Sequence, residues 1–236
     1  MLLSIIIPAY NEEKRISAML LEYEEFFADR QVEFVVVLNG CEDDTIGVVK
    51  NFADRHNDRV KYIDFSEKIG KGAAVLEGFR VAKGDIISFV DADGSTSPEE
   101  FDKLLKKLNG YDAAIASRWK AGSEVVNRNF LRNLASYGFR AVVKIFFQMP
   151  FVDTQCGAKA FKKGLISEIL PKMKITNMAF DVELLYRSLK AGYRIIEIPT
   201  RWIDKSSSAL LGSPGSFLIN GFKMFYTLFR IRFLSR

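Results

Sequence analysis

Residues 86–95 read Ile-Ile-Ser-Phe-Val-Asp-Ala-Asp-Gly-Ser, an apolar run that ends in two carboxylates separated by one residue. The apolar part is typical of a buried strand, which places Asp91 and Asp93 at its carboxyl end. Two anions there are costly unless they meet a cation or hydrogen-bond donors. The pattern therefore favours a site for Mg²⁺ or Mn²⁺, a sugar hydroxyl or both. Asp-Gly-Ser is also ordinary turn chemistry, so the alternative is a solvated turn.

Further strands and helices alternate on either side of this run. Continuous apolar runs predict buried strands at 2–8 and 34–38. A weaker strand is predicted at 60–63, and further strands at 111–117 and 194–199. Helix starts are predicted at Asn11 (as N-cap), near 43–45, at 70–72 and at 97–98. This alternation predicts an α/β fold with a Rossmann-like, mostly parallel central sheet flanked by helices.

Three polar turns fall at the same edge of this predicted sheet. Open α/β sheets bind ligands beyond the carboxyl ends of their strands, where Pro8-Ala9-Tyr10, Asn39-Gly40 and Asp91-Ala92-Asp93 all lie. A nucleotide site is the favoured interpretation. The sequence has neither Gly-x-Gly-x-x-Gly nor a Walker lysine loop. Gly70-Lys71-Gly72 is too short to specify a phosphate-binding loop and also fits a simple helix entry, from which Lys71 could still reach a diphosphate.

Composition narrows the class of protein. The chain has 236 residues, 48% of them hydrophobic, and a net charge of +5, which fits one large domain with a real core. Cys41 and Cys156 lack metal-ligand spacing and suggest a reducing compartment. The single histidine, His56, argues against histidine-based acid–base or zinc chemistry. We find no signal peptide or spanning segment and expect no nucleic-acid partner.

Two basic, phenylalanine-rich segments stand out in the second half of the chain. Residues 127–147 carry Arg128, Arg132, Arg140 and Lys144 at helical multiples of four, and residues 217–236 repeat the combination of aromatic and basic side chains. Such helices either pack on a core or lie on a membrane surface, where cations meet phosphate head groups. Two segments of this kind favour interfacial binding.

Four motifs together carry a resemblance to a known family: Ile-Pro-Ala-Tyr-Asn-Glu (7–12), Gly-Lys-Gly-Ala-Ala-Val (70–75), Asp-Ala-Asp-Gly (91–94) and Asp-Thr-Gln-Cys-Gly (153–157). The chain resembles the inverting family 2 glycosyltransferases of the GT-A fold. Within that family, residues 179–186 and the helix with Arg128 and Arg132 look most like the dolichyl-phosphate β-glucosyltransferases, with the dolichyl-phosphate mannose synthases next. The resemblance implies a nucleotide-sugar donor, UDP-glucose before GDP-mannose, and a polyprenyl-phosphate acceptor.

The resemblance also implies roles for individual residues. The donor's nucleoside and phosphates would be bound by Pro8, Ala9, Tyr10, Glu12, Asn39, Lys71, Asp91, Ala92, Arg118 and Lys205. The divalent ion would be held by Asp91 and Asp93, and the sugar and acceptor pocket lined by Gln155, Asp181 and Glu183. The lipid phosphate would be bound by Arg128 and Arg132. On a helix, Asp181 and Glu183 do not share a face, so we expect one to point into the cleft and the other to cap the helix.

The same resemblance sets the expected organisation and location. Residues 1–212 would form the transferase domain, with a nucleotide half to about 118 and an acceptor half from about 119, and residues 213–236 an interfacial helix. The expected location is the cytoplasmic face of a membrane, with a membrane-protein partner as a further source of attachment. The family's usual Asp-Asp-Gly-Ser after the second strand is Leu38-Asn39-Gly40-Cys41 here, which leaves the identity of the donor base open.

Three other functions remain compatible with parts of the pattern. A family 2 transferase with a soluble or polysaccharide acceptor would not need the basic aromatic C-terminus. A nucleotidyltransferase would carry a glycine-rich basic loop after the first strand, where this chain has Pro-Ala-Tyr-Asn-Glu. A non-catalytic membrane-binding module would not need Asp91 or Asp93.

Overall fold

A computed structural model of the chain describes residues 1–56, 58–127, 130–205 and 226–234, and for 130–136 and 234 only the course of the backbone. The strands are β1 Leu3–Ala9, β2 Val32–Asn39, β3 Val60–Phe65, β4 Ile86–Val90, β5 Ala113–Ser117, β6 Glu124–Val126, β7 Ala158–Lys162, β8 Ile195–Pro199 and β9 Arg201–Ile203. The helices are α1 Ile16–Phe26, α2 Thr45–Arg55, α3 Lys71–Val81, α4 Pro98–Lys107, α5 Phe130–Phe147, α6 Lys163–Ile169 and α7 Phe180–Lys190. A 3₁₀ turn, Leu170–Lys172, follows α6, and residues 226–234, whose last part is the π-helix Arg230–Leu234, form what we call the C-terminal helix.

Seven strands form the central sheet in the order β3-β2-β1-β4-β7-β5-β8. All neighbours are parallel except β7, which runs antiparallel to both β4 and β5. The predicted α/β class with a mostly parallel sheet is confirmed. The second sheet is a parallel pair, β6 and β9. Strand β7 was not predicted, although it lies inside the sheet and joins β3, β2, β1 and β4 on one side to β5 and β8 on the other.

Helices cover both faces of the central sheet and bury two apolar layers. One layer, on the side of α1, α2 and α4, is centred on Ile5, Ile7 and Phe34; the other, on the side of α3, α6 and α7, is centred on Ile6, Phe89 and Phe161. Successive residues of β1 point to opposite faces, which is why its apolar run is continuous. The polar side chains predicted to bind ligands are thereby left at the strand ends.

The helix predicted to begin at Asn11 begins instead at Ile16, so the prediction of Asn11 as its N-cap was wrong. Asn11 has a positive φ of 55°, and its side-chain oxygen accepts a hydrogen bond from the Glu42 amide at 2.8 Å. Asparagine tolerates this left-handed backbone, and here its side chain ties two neighbouring loops rather than its own helix. By contrast, Ser97 caps α4 as predicted, and Pro98 is the first helical residue.

The C-terminal helix packs against the end of α5. Leu228 and Ile231 lie in the core, and Arg232 donates a hydrogen bond from Nε to the Phe146 carbonyl at 2.9 Å. Phe229 and Phe233 lie on the outer side, and their ring centroids are 4.8 Å apart. Within the residues that the structure describes, no helix is both long enough and apolar enough to cross a membrane. The predicted boundary at 212/213 falls outside the described residues.

Candidate active site

The two carboxylates of the opening motif lie where β4 leaves the sheet. The Asp91 amide donates to the Gly157 carbonyl at 3.0 Å, so β7 fixes the start of this turn. The Asp91 carboxylate forms an ion pair with Lys71 at 2.5 Å, while Asp93 accepts a hydrogen bond from the Ser95 amide at 2.9 Å. Burial and the neighbouring charge of Asp91 raise the pKa of Asp93. The structure thus brings two mutually repelling carboxylates together, which is the electrostatic condition for binding a cation.

Lys71 is the first residue of α3 and lies between acidic groups from the end of β4 and from α7. Burial by itself would lower the pKa of Lys71, but the carboxylates of Asp91, Asp181 and Asp93 raise it by more. The net shift is upward, so the ammonium stays charged. The Ala73 amide donates to the Thr176 carbonyl at 2.9 Å, and a side chain at Gly72 would collide with the same loop. The loop at Thr176 therefore fixes the first turn of α3, and with it the position of Lys71 next to the carboxylates.

A buried ion pair lies next to this cluster, between β7 and α7. Lys159 is fully buried and donates to the Asp181 carboxylate at 2.7 Å and to the Cys156 carbonyl at 2.7 Å. Burial raises the pKa of Asp181, and Lys159 and then Lys71 oppose that increase. The sequence analysis missed Lys159. A lysine between two alanines in a short apolar stretch was the available signal, since such a side chain needs a buried partner.

Arg118, at the end of β5, is held by a second buried pair. Its Nε and Nη2 donate to the two oxygens of Asp153 at 2.7 and 2.9 Å. Burial raises the pKa of Asp153, but the charge and hydrogen bonds of Arg118 lower it by more. The net result is a pKa of about 2 for Asp153. The fork-to-carboxylate geometry fixes the guanidinium at the sheet edge, next to the Asp-Thr-Gln-Cys-Gly turn.

The residues predicted to hold the nucleoside follow β1 and β2. The Tyr10 ring lies under the Lys68 ammonium, 3.6 Å from the ring centroid. Burial raises the pKa of Glu12 to about 7, the Arg15 guanidinium opposes the shift, and the charges of Asp93 and Asp91 add to it. Pro8 and Ala9 form the end of β1, with Ala9 buried, and Ala92 is likewise buried between the two carboxylates.

Lys205 and Gln155 both lie close to this edge. The Lys205 carbonyl accepts a hydrogen bond from Arg15 at 3.0 Å, and the Lys205 ammonium is 3.2 Å from the point that a Cβ on Gly94 would occupy. Gln155 donates from its amide to Asp153 and from Nε2 to the Met178 carbonyl at 3.0 Å. The structure therefore brings the strand-end residues, Lys71, Lys205 and Gln155 into one region.

Two expectations for individual side chains need correction. Glu183 does not line the open edge or cap α7: it is fully buried and accepts hydrogen bonds from the amides of Lys174 and Ile175 and from Arg187. Its role is to hold the loop that contacts α3. Asn39 is also buried, and its side-chain oxygen accepts from the amides of Ile69 and Gly70 at 2.8 and 3.1 Å. That oxygen fixes the loop before Lys71 and is not left to meet a nucleobase.

Two further residues, Arg128 and Arg132, were predicted to bind the lipid phosphate. Arg128 lies outside the described residues, and Arg132 lies in α5, where only the backbone is described. Their assignment to the lipid phosphate stays a prediction.

Comparison with known proteins identifies the family. Residues 4–170 match the model of glycosyl transferase family 2. The chain belongs to this family. It is 34% identical over 224 residues to a dolichyl-phosphate β-glucosyltransferase of Drosophila melanogaster, covering 88% of this chain and 69% of that protein. It is 33% identical over 225 residues to the human protein of the same name, covering 89% and 69%.

Solved structures agree on the fold of this family 2 glycosyltransferase. Glucosyl-3-phosphoglycerate synthase from Mycobacterium tuberculosis, solved with Mn²⁺, UDP and its product, superposes with a TM-score of 0.71 at 16% identity over 98% of this chain and 79% of that one. A mannosyltransferase from Pyrobaculum calidifontis, in complex with GDP-mannose and Mn²⁺, gives 0.65 at 21% identity over 95% and 63%. The predicted GT-A fold is confirmed.

The described residues contain no group of three or more histidine, cysteine or acidic side chains arranged to hold a metal ion. Mg²⁺ and Mn²⁺ do not need such a cage, because they keep waters and take ligands from a substrate diphosphate. Asp91 and Asp93 supply two carboxylates whose mutual repulsion a divalent ion would relieve. The transferase's residues therefore fit a divalent ion that shares its ligand shell with the donor.

Proposed function

We propose that this transferase moves glucose, with inversion, from UDP-glucose to a polyprenyl phosphate, giving a lipid-linked glucose for glycan assembly. The proposal is supported by the names of the relatives, which share about a third of their residues with this chain over most of its length. The observation that carries it is the charge arrangement at the end of β4, where Asp91, Asp93 and Lys71 meet.

The reaction suits a site that holds charges and contains no histidine. A phosphate monoester is largely ionised near neutral pH, so its oxygen attacks the anomeric carbon without a strong general base. The bond between that carbon and the β-phosphate oxygen breaks on the opposite face, and UDP leaves with the electron pair. A Mg²⁺ or Mn²⁺ ion held by Asp91 and Asp93 would supply the charge that neutralises the departing diphosphate.

The chain's own residues have defined tasks in this scheme. Asp91 and Asp93 would hold the ion, Lys71 and Lys205 would contact the donor phosphates, and the turn after β1 would hold the nucleoside. Arg118 adds a fixed positive charge near the acceptor half, oriented by Asp153. Asp181, oriented by Lys159, would contact the sugar. These assignments rest on position at one sheet edge together with the family motifs.

We further propose that the protein acts on the cytoplasmic face of a membrane. The exposed side chains that support this are Ile145, Phe229 and Phe233, beside Arg230. We keep residues 1–212 as the proposed catalytic domain and 213–236 as the interfacial part. A membrane-protein partner would be an additional means of attachment.

The function is tested by measuring label transfer from UDP-glucose and GDP-mannose into extractable lipid, with polyprenyl phosphate and with Mg²⁺, Mn²⁺ or a chelator. We expect UDP-glucose to be used, chelation to stop the reaction and proton NMR to show a β-linked product. Transfer only to a soluble acceptor would favour the alternative transferase, and release of pyrophosphate a nucleotidyltransferase.

The metal role has its own test in Asp93→Ala. We expect at least a ~100-fold loss of transfer, in line with removal of an electrostatic contribution to catalysis, and loss of Mn²⁺-dependent UDP binding by calorimetry. Asp54→Ala is the matched control, since Asp54 is exposed on α2. Full activity of the Asp93 variant would defeat the proposed metal role.

A further inference from the structure

A cluster of two aromatic rings and an arginine lies where β5 ends, next to Arg118. The ring centroids of Trp119 and Tyr137 are 4.8 Å apart, with an interplanar angle of 49°. The Arg140 guanidinium carbon lies 5.0 Å from the Trp119 centroid and 5.5 Å from that of Tyr137. We call these three residues the aromatic–arginine cluster.

Arg140 is positioned by the rings rather than by an anion. Among the described residues, no carboxylate forms an ion pair with it and no carbonyl accepts a hydrogen bond from it. This contrasts with Arg118, which is paired with Asp153. Cation–π contacts orient a guanidinium through its face and leave the in-plane N–H groups able to donate. A guanidinium held this way suits a phosphate, which accepts two parallel hydrogen bonds.

The cluster joins the two halves of the proposed site. Trp119 directly follows Arg118, which pairs with Asp153 at the start of the Asp-Thr-Gln-Cys-Gly turn. Gly157, at the end of that turn, accepts a hydrogen bond from the Asp91 amide. Tyr137 and Arg140 come from α5, in the half of the chain assigned to the acceptor. Tyr137 keeps 53% of its surface exposed, so an apolar group can still pack on it. The cation and the apolar surface are thus side by side, close to the carboxylates that would bind the donor's metal.

We propose that the aromatic–arginine cluster is a subsite for the acceptor, in which Arg140 binds the phosphate monoester and the exposed ring of Tyr137 contacts the first isoprene unit. The inference rests on the proposed function and adds a cation and a specificity surface to it. A phosphate attached to a hydrocarbon fits the combination. A water-soluble phosphate would make no use of the rings.

The first test is kinetic and uses detergent solution, where attraction to a membrane does not contribute. Substrates are a two-isoprene polyprenyl phosphate and UDP-glucose. Because a hydrogen bond to a charged group contributes about 1.5–3 kcal/mol, Arg140→Ala should raise the acceptor KM about 10-fold to 100-fold. The donor KM and the slow hydrolysis of UDP-glucose without acceptor should stay within about twofold. Arg140→Lys, which keeps the charge but loses the planar fork, should give an intermediate acceptor KM.

Lys144→Ala is the matched control, because Lys144 is one turn further along α5, is exposed, and contacts no aromatic ring in the part of the chain that the structure describes. We expect its acceptor KM to equal that of the unmodified chain. Equal increases for the Lys144 and Arg140 variants would overturn the proposal, since they would indicate general attraction between cations and phosphate. A loss of melting temperature or a rise in donor KM for both Arg140 variants would assign Arg140 a structural role instead.

A second test distinguishes a phosphate attached to an isoprenoid chain from a water-soluble phosphate. Tyr137→Ala should weaken inhibition by citronellyl phosphate about tenfold, the expected loss for one buried apolar group, and leave inhibition by methyl phosphate unchanged. Equal effects on both inhibitors would overturn the isoprene contact. If the unmodified chain transfers glucose to no polyprenyl phosphate at all, the proposed function itself fails. If it transfers but Arg140→Ala has no effect on the acceptor KM, only the subsite fails.

Discussion

Pairs of buried charges, rather than single catalytic side chains, set the properties of this site. Arg118 with Asp153 and Lys159 with Asp181 each bury a cation and an anion at hydrogen-bond distance. A buried pair is seldom a net source of stability, but removal of one partner leaves an uncompensated charge. We therefore regard these pairs as devices for orientation. They fix a guanidinium and a carboxylate at the sheet edge before any substrate arrives.

The Arg118–Asp153 pair makes a prediction about stability. Asp153→Asn should lower the free energy of unfolding at pH 7 by roughly 3–5 kcal/mol, because Arg118 loses its counter-charge in a buried position. The measurement is urea unfolding followed by circular dichroism. Glu168→Gln is the control: Glu168 pairs with Lys172 on the surface, where solvent and salt screen the interaction, and we expect little change.

The same pair predicts a pH dependence with a definite sign. The pKa of Asp153 is about 2 in the folded protein and 3.8 for an ordinary aspartate, so the folded state favours the ionised form. The stabilisation is present above about pH 4 and is lost as the pH falls through the folded-state value. The gap in stability between the original chain and Asp153→Asn should therefore narrow below pH 4. A gap that is constant down to pH 2 would contradict the assignment.

Two elements act on the site from outside it. Gly157, the residue before β7, packs closely against the Asp91 carboxylate. The loop before Lys71 is held by hydrogen bonds from the amides of Ile69 and Gly70 to Asn39. Neither contact can be read from the sequence around the residue that it positions, Asp91 in the first case and Lys71 in the second. Both contacts help to position one of the two charged side chains that pair at the end of β4, Asp91 and Lys71.

The first element-scale prediction concerns Gly157→Ala. A Cβ there would come within 1.8 Å of an Asp91 oxygen, so the carboxylate must move. We expect a loss of metal-dependent UDP affinity of about tenfold or more by calorimetry, because geometry errors near 1 Å are costly in such sites. Gly164→Ala on α6 meets nothing within 4 Å and should leave UDP affinity unchanged. Unchanged affinity in both variants would show that the Asp91 position does not matter.

The second element-scale prediction concerns the loop before α3, which Asn39 anchors. Asn39→Ala leaves the buried amides of Ile69 and Gly70 without an acceptor and should raise the donor KM about tenfold, as expected for roughly 1–3 kcal/mol of lost hydrogen bonding. Asn39→Asp keeps an acceptor at that place and should stay close to the original. A rise in acceptor KM without a rise in donor KM would contradict this role. Steady-state kinetics with each substrate varied in turn separates the two.

At the scale of the whole molecule, the sheet edge differs in chemistry from the apolar surface formed by Ile145, Phe229 and Phe233. The donor end collects acidic and basic groups, whereas the end of α5 and the C-terminal helix expose isoleucine and phenylalanine beside arginine. An acceptor with a charged head and a hydrocarbon tail needs both environments in one protein. This division supports an enzyme that works where water meets a lipid surface.

A vesicle-flotation assay tests the surface. Ile145→Ser and Phe233→Ser should each weaken binding to vesicles that contain anionic lipid about tenfold, since each removes an exposed apolar side chain worth about 1.5–3 kcal/mol on burial. Leu21→Ser, which removes an exposed leucine on α1, is the control and should bind normally. Transfer to a two-isoprene acceptor in detergent should survive in all three variants. Equal loss of flotation in the control would indicate non-specific adhesion.

The sequence alone determined the α/β class, the strand-end position of Asp91 and Asp93, the start of α3 at Lys71 and the family. These features are local: apolar runs, strand ends and short motifs are written in consecutive residues. The tertiary structure alone decided the insertion of β7 between β4 and β5, the pairing of Lys159 with Asp181 and of Arg118 with Asp153, and the burial of Glu183. Each of those contacts joins residues from separate elements, and the geometry that selects the partner exists only once the sheet has formed.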